Sequence, residues 1–220
     1  MRTLLLTAVL FITTHLGHSD SEYYYETDIY NETYYVQHQD IYRAFKDISD
    51  FYWLFGFNYH SKHTENKSCV YFDVENITQS AMNWSSNFIR YGQREKINYT
   101  GEFYSTKFKN MSLDQGRQVY NSLYARLRET GKWPMNYTLI YSDYQNCSVF
   151  RVLQIDGGYG CMVLLTNSTA YTGMPEECQR VFNDTCTLCN HTTFEQVFNN
   201  SCHRTPEGEL IFKNEQFSSC

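Results

Sequence analysis

The chain has 220 residues and a formal net charge of −6, and aromatic residues make up 17% of it, including 20 Tyr and 15 Phe. This length fits one or two domains, and the acidic balance excludes a basic stripe that could meet nucleic-acid phosphates. The aromatic content favours half-buried strands over helices.

The N-terminus has the pattern of a secretory signal peptide. Arg2 supplies a positive charge, Leu4 to Ile12 form an apolar run, and small residues precede a cleavage after Ser19. A membrane span needs about 20 apolar residues, so this run is too short for one, and no later stretch is long enough. We therefore predict that residues 1–19 are removed, and that the protein is secreted without attachment to a membrane.

Residues 20–37 are acidic and rich in Tyr, and we predict a flexible tail there. An alternative is that Tyr23, Tyr24 or Tyr25 is sulfated and engages a basic host protein. The rest of the chain, residues 38–220, is predicted to be one domain.

Asp40 is placed to cap a short helix, and then the hydrophobic period changes to two, which is typical of strands. Residues 113–128 fit either a short helix or a strand with a loop. A tight turn is predicted at Asp156-Gly157-Gly158. The helix pattern comprises Ile41, Ala44, Phe45, Ile48 and Tyr52, and the strand patterns cover residues 53–59, 70–74, 97–103, 136–143, 147–155 and 160–166.

A second helix is predicted to begin at Met174-Pro175-Glu176-Glu177, since Pro and acidic residues favour a first turn. Cys178, Phe182 and Cys186 follow at intervals of four, so they share one face. Several antiparallel strands followed by one helix are the layout of a small ligand-holding barrel.

Two further features agree with export. The eight cysteines form an even set, which predicts disulfides in an oxidising compartment with 105 connectivities open. Twelve Asn-x-Ser/Thr sequons are present, and each glycosylated one must lie on the surface. We predict glycosylation at Asn31, Asn66, Asn76, Asn83, Asn98, Asn110, Asn136, Asn167, Asn183, Asn190 and Asn199.

Several motifs together carry a family resemblance. They are residues 38–45 (HQDIYRAF), Cys69-Val70-Tyr71, Cys147-x-Val149-Phe150, Tyr159-Gly160-Cys161 and Pro175-x-x-Cys178-x-x-x-Phe182-x-x-x-Cys186. With them, the chain resembles the tick salivary lipocalins, the histamine-binding protein family, over residues 38–202. The resemblance implies an all-β fold, an eight-stranded antiparallel lipocalin barrel with a short N-terminal helix and a C-terminal α-helix packed outside. The implied disulfides are Cys69–Cys202, Cys147–Cys178, Cys161–Cys186 and Cys189–Cys220.

A helix outside the barrel requires Cys147 and Cys161 to point outward. Alternation then directs a set of residues on both strands into the barrel. The twelfth sequon, Asn146, adjoins outward Cys147, so we expect it to lie at a bend or to stay unglycosylated. The predicted ligand-binding residues are Ser148, Phe150, Val152, Met162 and Leu164, joined by Phe55 and Phe57 from the first strand.

Members of the family sequester small host mediators of inflammation, either amines or lipids. The amine binders carry acidic residues on the two strands that here read Cys147-Ser148-Val149 and Met162-Val163-Leu164. Glu102 shares a face with the sequon at Asn98 and is therefore expected to face solvent. We predict an apolar or amphipathic ligand of the leukotriene or fatty-acid type, with Arg90 as the partner of a carboxylate.

Two alternatives stay open beside the lipid hypothesis: a histamine or serotonin binder, and an inhibitor of complement or another host protein that uses the barrel as a scaffold. Enzymatic function is not expected, because His60-x-x-His63 lacks the third ligand of a catalytic metal. No catalytic motif or phosphate loop occurs either. We predict a monomer without a cofactor.

Overall fold

The computed structural model describes residues 35–46, 48–61, 64–106, 117–155, 158–187, 193–205 and 211–212. Eight antiparallel strands pair in chain order, and the eighth pairs with the first, so the sheet closes into a barrel. This arrangement confirms the predicted fold class. The strands are β1 Phe51–Phe57, β2 Lys67–Ile77, β3 Ala81–Arg90, β4 Gln93–Tyr104, β5 Ser122–Leu127, β6 Met135–Ser142, β7 Cys147–Val152 and β8 Gly160–Thr166.

Two short strands pair with strands of this barrel. Strand β9, Glu195–Gln196, pairs with the end of β1, and β10, Ile211–Phe212, pairs in parallel with β4. The signal peptide, and the predicted tail as far as residue 34, lie outside the described residues.

The helix α1, Ile41–Phe45, begins where the sequence predicts. The Asp40 carboxylate accepts the Arg43 backbone N–H at 3.0 Å, which satisfies one of the free donors of the first turn. The helix ends at Phe45, so the predicted continuation to Tyr52 is wrong, since Tyr52 belongs to β1. The Phe45 ring packs against the ring of Phe150, with centroids 5.7 Å apart, and covers one end of the barrel.

Strand β3 was not predicted, because the residues at its centre are polar on both faces. Ser85, Ser86 and Asn87 are all buried, so no alternation of polar and apolar residues is visible there. The ambiguous stretch 113–128 contains strand β5, whose apolar residues pack into the barrel.

The remaining helices are α2, Asn167–Ala170, and α3, Glu176–Cys186. Helix α3 lies on the outer face of the sheet and buries the side that carries Cys178, Phe182 and Cys186, as predicted. Its last turn contains no basic residue. Arg151 of β7 places a positive charge against this turn instead, because its guanidinium donates to the Thr185 carbonyl at 3.0 Å.

Three disulfides fasten these outer elements. Cys147–Cys178 and Cys161–Cys186 join β7 and β8 to α3, and Cys69–Cys202 joins β2 to the C-terminal segment. They are three of the pairs that the resemblance implies. The fourth, Cys189–Cys220, lies outside the described residues.

Strand β1 contains a bulge between Leu54 and Gly56, where its register with β8 shifts. The chain of β9 approaches closely at this point. A Cβ on Gly56 would lie 2.4 Å from the Phe194 ring and 2.5 Å from the Glu195 carbonyl oxygen. Only glycine therefore fits at this position.

We expect Gly56→Ala to lower the free energy of unfolding by about 2–3 kcal/mol, because the added methyl group overlaps backbone as well as a side chain. Thermal unfolding followed by circular dichroism measures this loss. Gly92→Ala is the control, since Gly92 has open space around it and a φ of +75°. It should lose only about 1–2 kcal/mol from the left-handed conformation. A smaller loss at Gly56 than at Gly92 would contradict the steric account.

Candidate ligand-binding cavity

The barrel encloses a cavity between α1 and the opposite end, which we call the loop end. At the loop end lie the connections that follow β1, β3, β5 and β7. The space that water can enter is about 90 Å³. Its walls are mostly aromatic and aliphatic. The lining residues are Phe45, Leu54, Phe57, Tyr59, Thr64, Lys67, Val70, Phe72, Val74, Met82, Trp84, Ser86, Tyr99, Leu123, Ala125, Trp133, Met135, Tyr137, Phe150, Met162 and Leu164.

Four of the eight residues predicted to bind a ligand line this cavity: Phe57, Phe150, Met162 and Leu164. On β7 and β8 the outward cysteines orient the strands as the sequence analysis expects. Cys147 and Cys161 belong to the outer core, whereas Phe150, Met162 and Leu164 belong to the inner one. Their role in binding stays a prediction.

Val152 and Ser148 face inward but do not line the cavity. Val152 is fully buried in the inner core. The Ser148 hydroxyl donates to the Ser142 hydroxyl at 3.0 Å. Both residues therefore support the wall of the cavity.

The prediction that Phe55 faces the cavity is wrong. Its ring lies on the outside of the barrel beside the rings of Phe194 and Phe198, with centroids 6.1 and 6.3 Å away. The cause is the β1 bulge, since simple alternation would place Phe55 and Phe57 on the same face.

Arg90 is also absent from the lining, so its predicted place facing a ligand carboxylate is wrong. Its guanidinium donates two hydrogen bonds to the buried Glu95 carboxylate, at 3.1 and 2.5 Å. The Glu95 carboxylate therefore neutralises the positive charge of Arg90. The cation in the lining is instead Lys67 at the start of β2, whose Nζ lies 3.9 Å from the Phe88 ring centroid.

Three acidic residues of β2 and β4 lie on the outer surface. Glu102 is exposed and pairs with Arg126 at 2.7 Å, in line with the expected solvent orientation. Asp73 pairs with Arg204 at 2.8 Å, and partial burial raises its carboxyl pKa. Glu75 pairs with Arg128 at 2.7 Å. Among the described residues that line the cavity, none carries a carboxylate.

Two tyrosines at the loop end were missed by the sequence analysis. Burial raises the pKa of Tyr137 to about 12, and burial together with the nearby Tyr137 raises the pKa of Tyr59 well above 10. Both hydroxyls are therefore neutral at physiological pH. Sequon logic could have found Tyr137, because a glycan on Asn136 must face outward and its neighbour must then face inward.

The described sequons are distributed around the outside of the barrel. Asn146 lies at the bend between β6 and β7, as expected, and its side-chain oxygen accepts the Thr169 hydroxyl at 2.9 Å. Three predicted sites, Asn31, Asn110 and Asn190, lie outside the described residues. Asn66, Asn76, Asn167, Asn183 and Asn199 are exposed, and Asn83, Asn98 and Asn136 are partly exposed.

In the described part of the chain, no helix is long and apolar enough to cross a membrane. That part also contains no cluster of three or more His, Cys, Asp or Glu side chains placed to hold a metal ion.

A closed eight-stranded antiparallel barrel with an outer helix and an apolar cavity defines a ligand-binding lipocalin fold. The family model described as tick histamine binding protein matches residues 29–204. The chain therefore belongs to the tick histamine-binding protein family. No curated protein sequence matches it.

Three solved structures are similar to this chain, and the first of them supports the fold. AM182 in its serotonin complex has 13% identity and a TM-score of 0.55, over 76% of this chain and 94% of that one. Lobster apocrustacyanin A1 has 12% identity and a TM-score of 0.49, over 70% and 78%. Japanin from Rhipicephalus appendiculatus, bound to cholesterol, has 14% identity and a TM-score of 0.44, over 63% and 87%.

The lining cation yields a prediction about charge selectivity. We expect Lys67→Met to weaken binding of the anionic dye 1-anilinonaphthalene-8-sulfonate about fivefold, which corresponds to about 1 kcal/mol. Binding of neutral N-phenyl-1-naphthylamine should change less than twofold. Fluorescence titration measures both dyes. Lys132→Met is the control, since Lys132 is exposed and does not line the cavity. Equal losses for the two dyes would argue against a charge effect.

Proposed function

We propose that the protein is secreted and sequesters a small apolar or amphipathic host mediator, of the leukotriene or fatty-acid type, and thereby suppresses host defence. One observation carries the choice of ligand. The described lining is aromatic and aliphatic, includes one lysine and contains no carboxylate. We also propose that the protein is a monomeric glycoprotein and that it acts by binding and not by catalysis.

The energetics favour hydrocarbon over an amine in such a cavity. Each CH₂ group that leaves water for these walls contributes about 0.8 kcal/mol. An ammonium group would lose its hydration without meeting a carboxylate among the described lining residues. The positive charge of Lys67 would also repel it.

The space inside the barrel limits how much of a ligand is buried. About 90 Å³ of water-accessible space suits a compact apolar group or one part of a longer amphiphile. A long mediator would therefore keep its polar end near the loop end, close to Lys67.

An amine such as histamine or serotonin is the second candidate, favoured by the family to which the chain belongs. The aromatic wall also supports it, because Trp84 and Tyr99 stack with ring centroids 5.4 Å apart and line the cavity. Aromatic faces attract cations, but they do so more weakly than a buried carboxylate.

Native mass spectrometry of the secreted protein with leukotriene B4, arachidonic acid, histamine and serotonin tests the choice. We expect both lipids to bind at least tenfold more tightly than either amine, because only the lipids gain from the apolar walls. Tighter binding of an amine would contradict the lipid proposal and favour amine binding as the function. Binding of none of the four, with capture of a plasma protein instead, would favour an inhibitor that uses the barrel as a scaffold.

Filling the cavity provides a matched test of where the ligand lies. Ala125 is buried and lines the cavity, so Ala125→Phe should lower lipid affinity at least tenfold by occupying the space. Ala81 begins β3 outside the lining, so Ala81→Phe should change affinity less than twofold. Circular dichroism verifies that both variants fold. Unchanged affinity in a folded Ala125→Phe protein would place the ligand elsewhere.

A further inference from the structure

Two hydroxyl groups at the loop end differ from several other tyrosine hydroxyls in the described part of the chain. Tyr59 and Tyr137 line the cavity, and neither hydroxyl makes a hydrogen bond to any residue that the structure describes. Tyr59 is buried and Tyr137 is partly buried, and both are neutral donors at physiological pH because burial raises their pKa values.

Several other described tyrosine hydroxyls have protein partners. Tyr52 donates to the Ala44 carbonyl at 3.2 Å, and Tyr104 donates to the Asn136 side chain at 2.9 Å. Tyr171 donates to the Cys202 carbonyl at 2.8 Å. These hydroxyls are satisfied by the protein, whereas those of Tyr59 and Tyr137 face the cavity without a hydrogen-bond partner among the described residues.

A hydroxyl that faces the cavity lowers the affinity of a ligand that displaces its water and offers no hydrogen-bond acceptor in return. A purely hydrocarbon ligand that displaced water from Tyr59 and Tyr137 would leave both hydroxyls without a partner and would lose affinity at each. A ligand that brings an acceptor oxygen to the pair would avoid this loss.

We propose that Tyr59 and Tyr137 donate hydrogen bonds to a carboxylate on the bound ligand. This inference rests on the proposed function and narrows it to apolar molecules that bear an acid group. A carboxylate offers two oxygens and several acceptor sites, so it can receive both phenols. Lys67 lies at the same end of the cavity and adds positive potential that favours an anion.

Three compact probes of one shape separate the contributions: 2-naphthoate, 2-naphthol and naphthalene. Isothermal titration calorimetry measures their binding to the wild-type protein, Tyr59→Phe, Tyr137→Phe and the double variant. We expect each single variant to bind 2-naphthoate about three- to tenfold more weakly, as the loss of one hydrogen bond predicts. The double variant should lose more than either, and naphthalene binding should change less than twofold.

Tyr52→Phe is the matched control, because it removes a buried hydroxyl that bonds α1 and lies outside the lining. It should leave all three affinities unchanged within twofold. Equal losses for naphthoate and naphthalene, or no loss for naphthoate, would overturn the inference. So would a larger loss for naphthol than for naphthoate. If the wild-type protein binds none of the probes and none of the lipids, the proposed function itself fails.

Discussion

The attachment of α3 to the outside of the sheet is the constraint on which the cavity depends. Two disulfides hold β7 and β8 against one face of this helix. Because strand residues alternate, fixing Cys147 and Cys161 outward also fixes Phe150, Met162 and Leu164 inward. Arg151 strengthens the same contact from below, since its guanidinium binds the C-terminal turn of α3 and the Gly158 carbonyl. Disulfides and hydrogen bonds on the outer face of the sheet thus determine which residues form the inner wall of the cavity.

The cysteine-anchored strands of the barrel could be oriented from the sequence, whereas β1 could not. Strands with a cysteine anchor could be oriented from alternation alone, and so could α3 from the spacing of its buried face. Strand β1 has no cysteine, and its bulge at Gly56 reverses the parity between Phe55 and Phe57. At this bulge Gly56 contacts Phe194 and Glu195, which lie about 140 residues away in the chain. No local pattern records such a contact, so Phe55 was misplaced.

The sequence likewise shows which residues are charged but not how they pair. Acidic residues on the outer face pair with arginines, as Glu102 does with Arg126 on the neighbouring strand and Asp73 with Arg204 in the C-terminal segment. The one deeply buried acid among these pairs, Glu95, takes Arg90 as its partner. The sequence identified both residue types, but it could not identify the partner, because an ion pair is chosen in three dimensions. The pairing of Arg90 is what leaves Lys67 as the lining cation.

These constraints act together on the character of the ligand. Carboxylates are held outside or neutralised at the wall, so the described lining offers an incoming molecule apolar surface, one ammonium group and neutral hydroxyls. An amine receives only aromatic faces from that set, whereas an acid receives a cation and donors at the loop end. Hydrocarbon burial gives affinity but little discrimination, because one apolar chain packs much like another. Selection among apolar molecules therefore depends on the few polar atoms that the fold leaves facing the cavity.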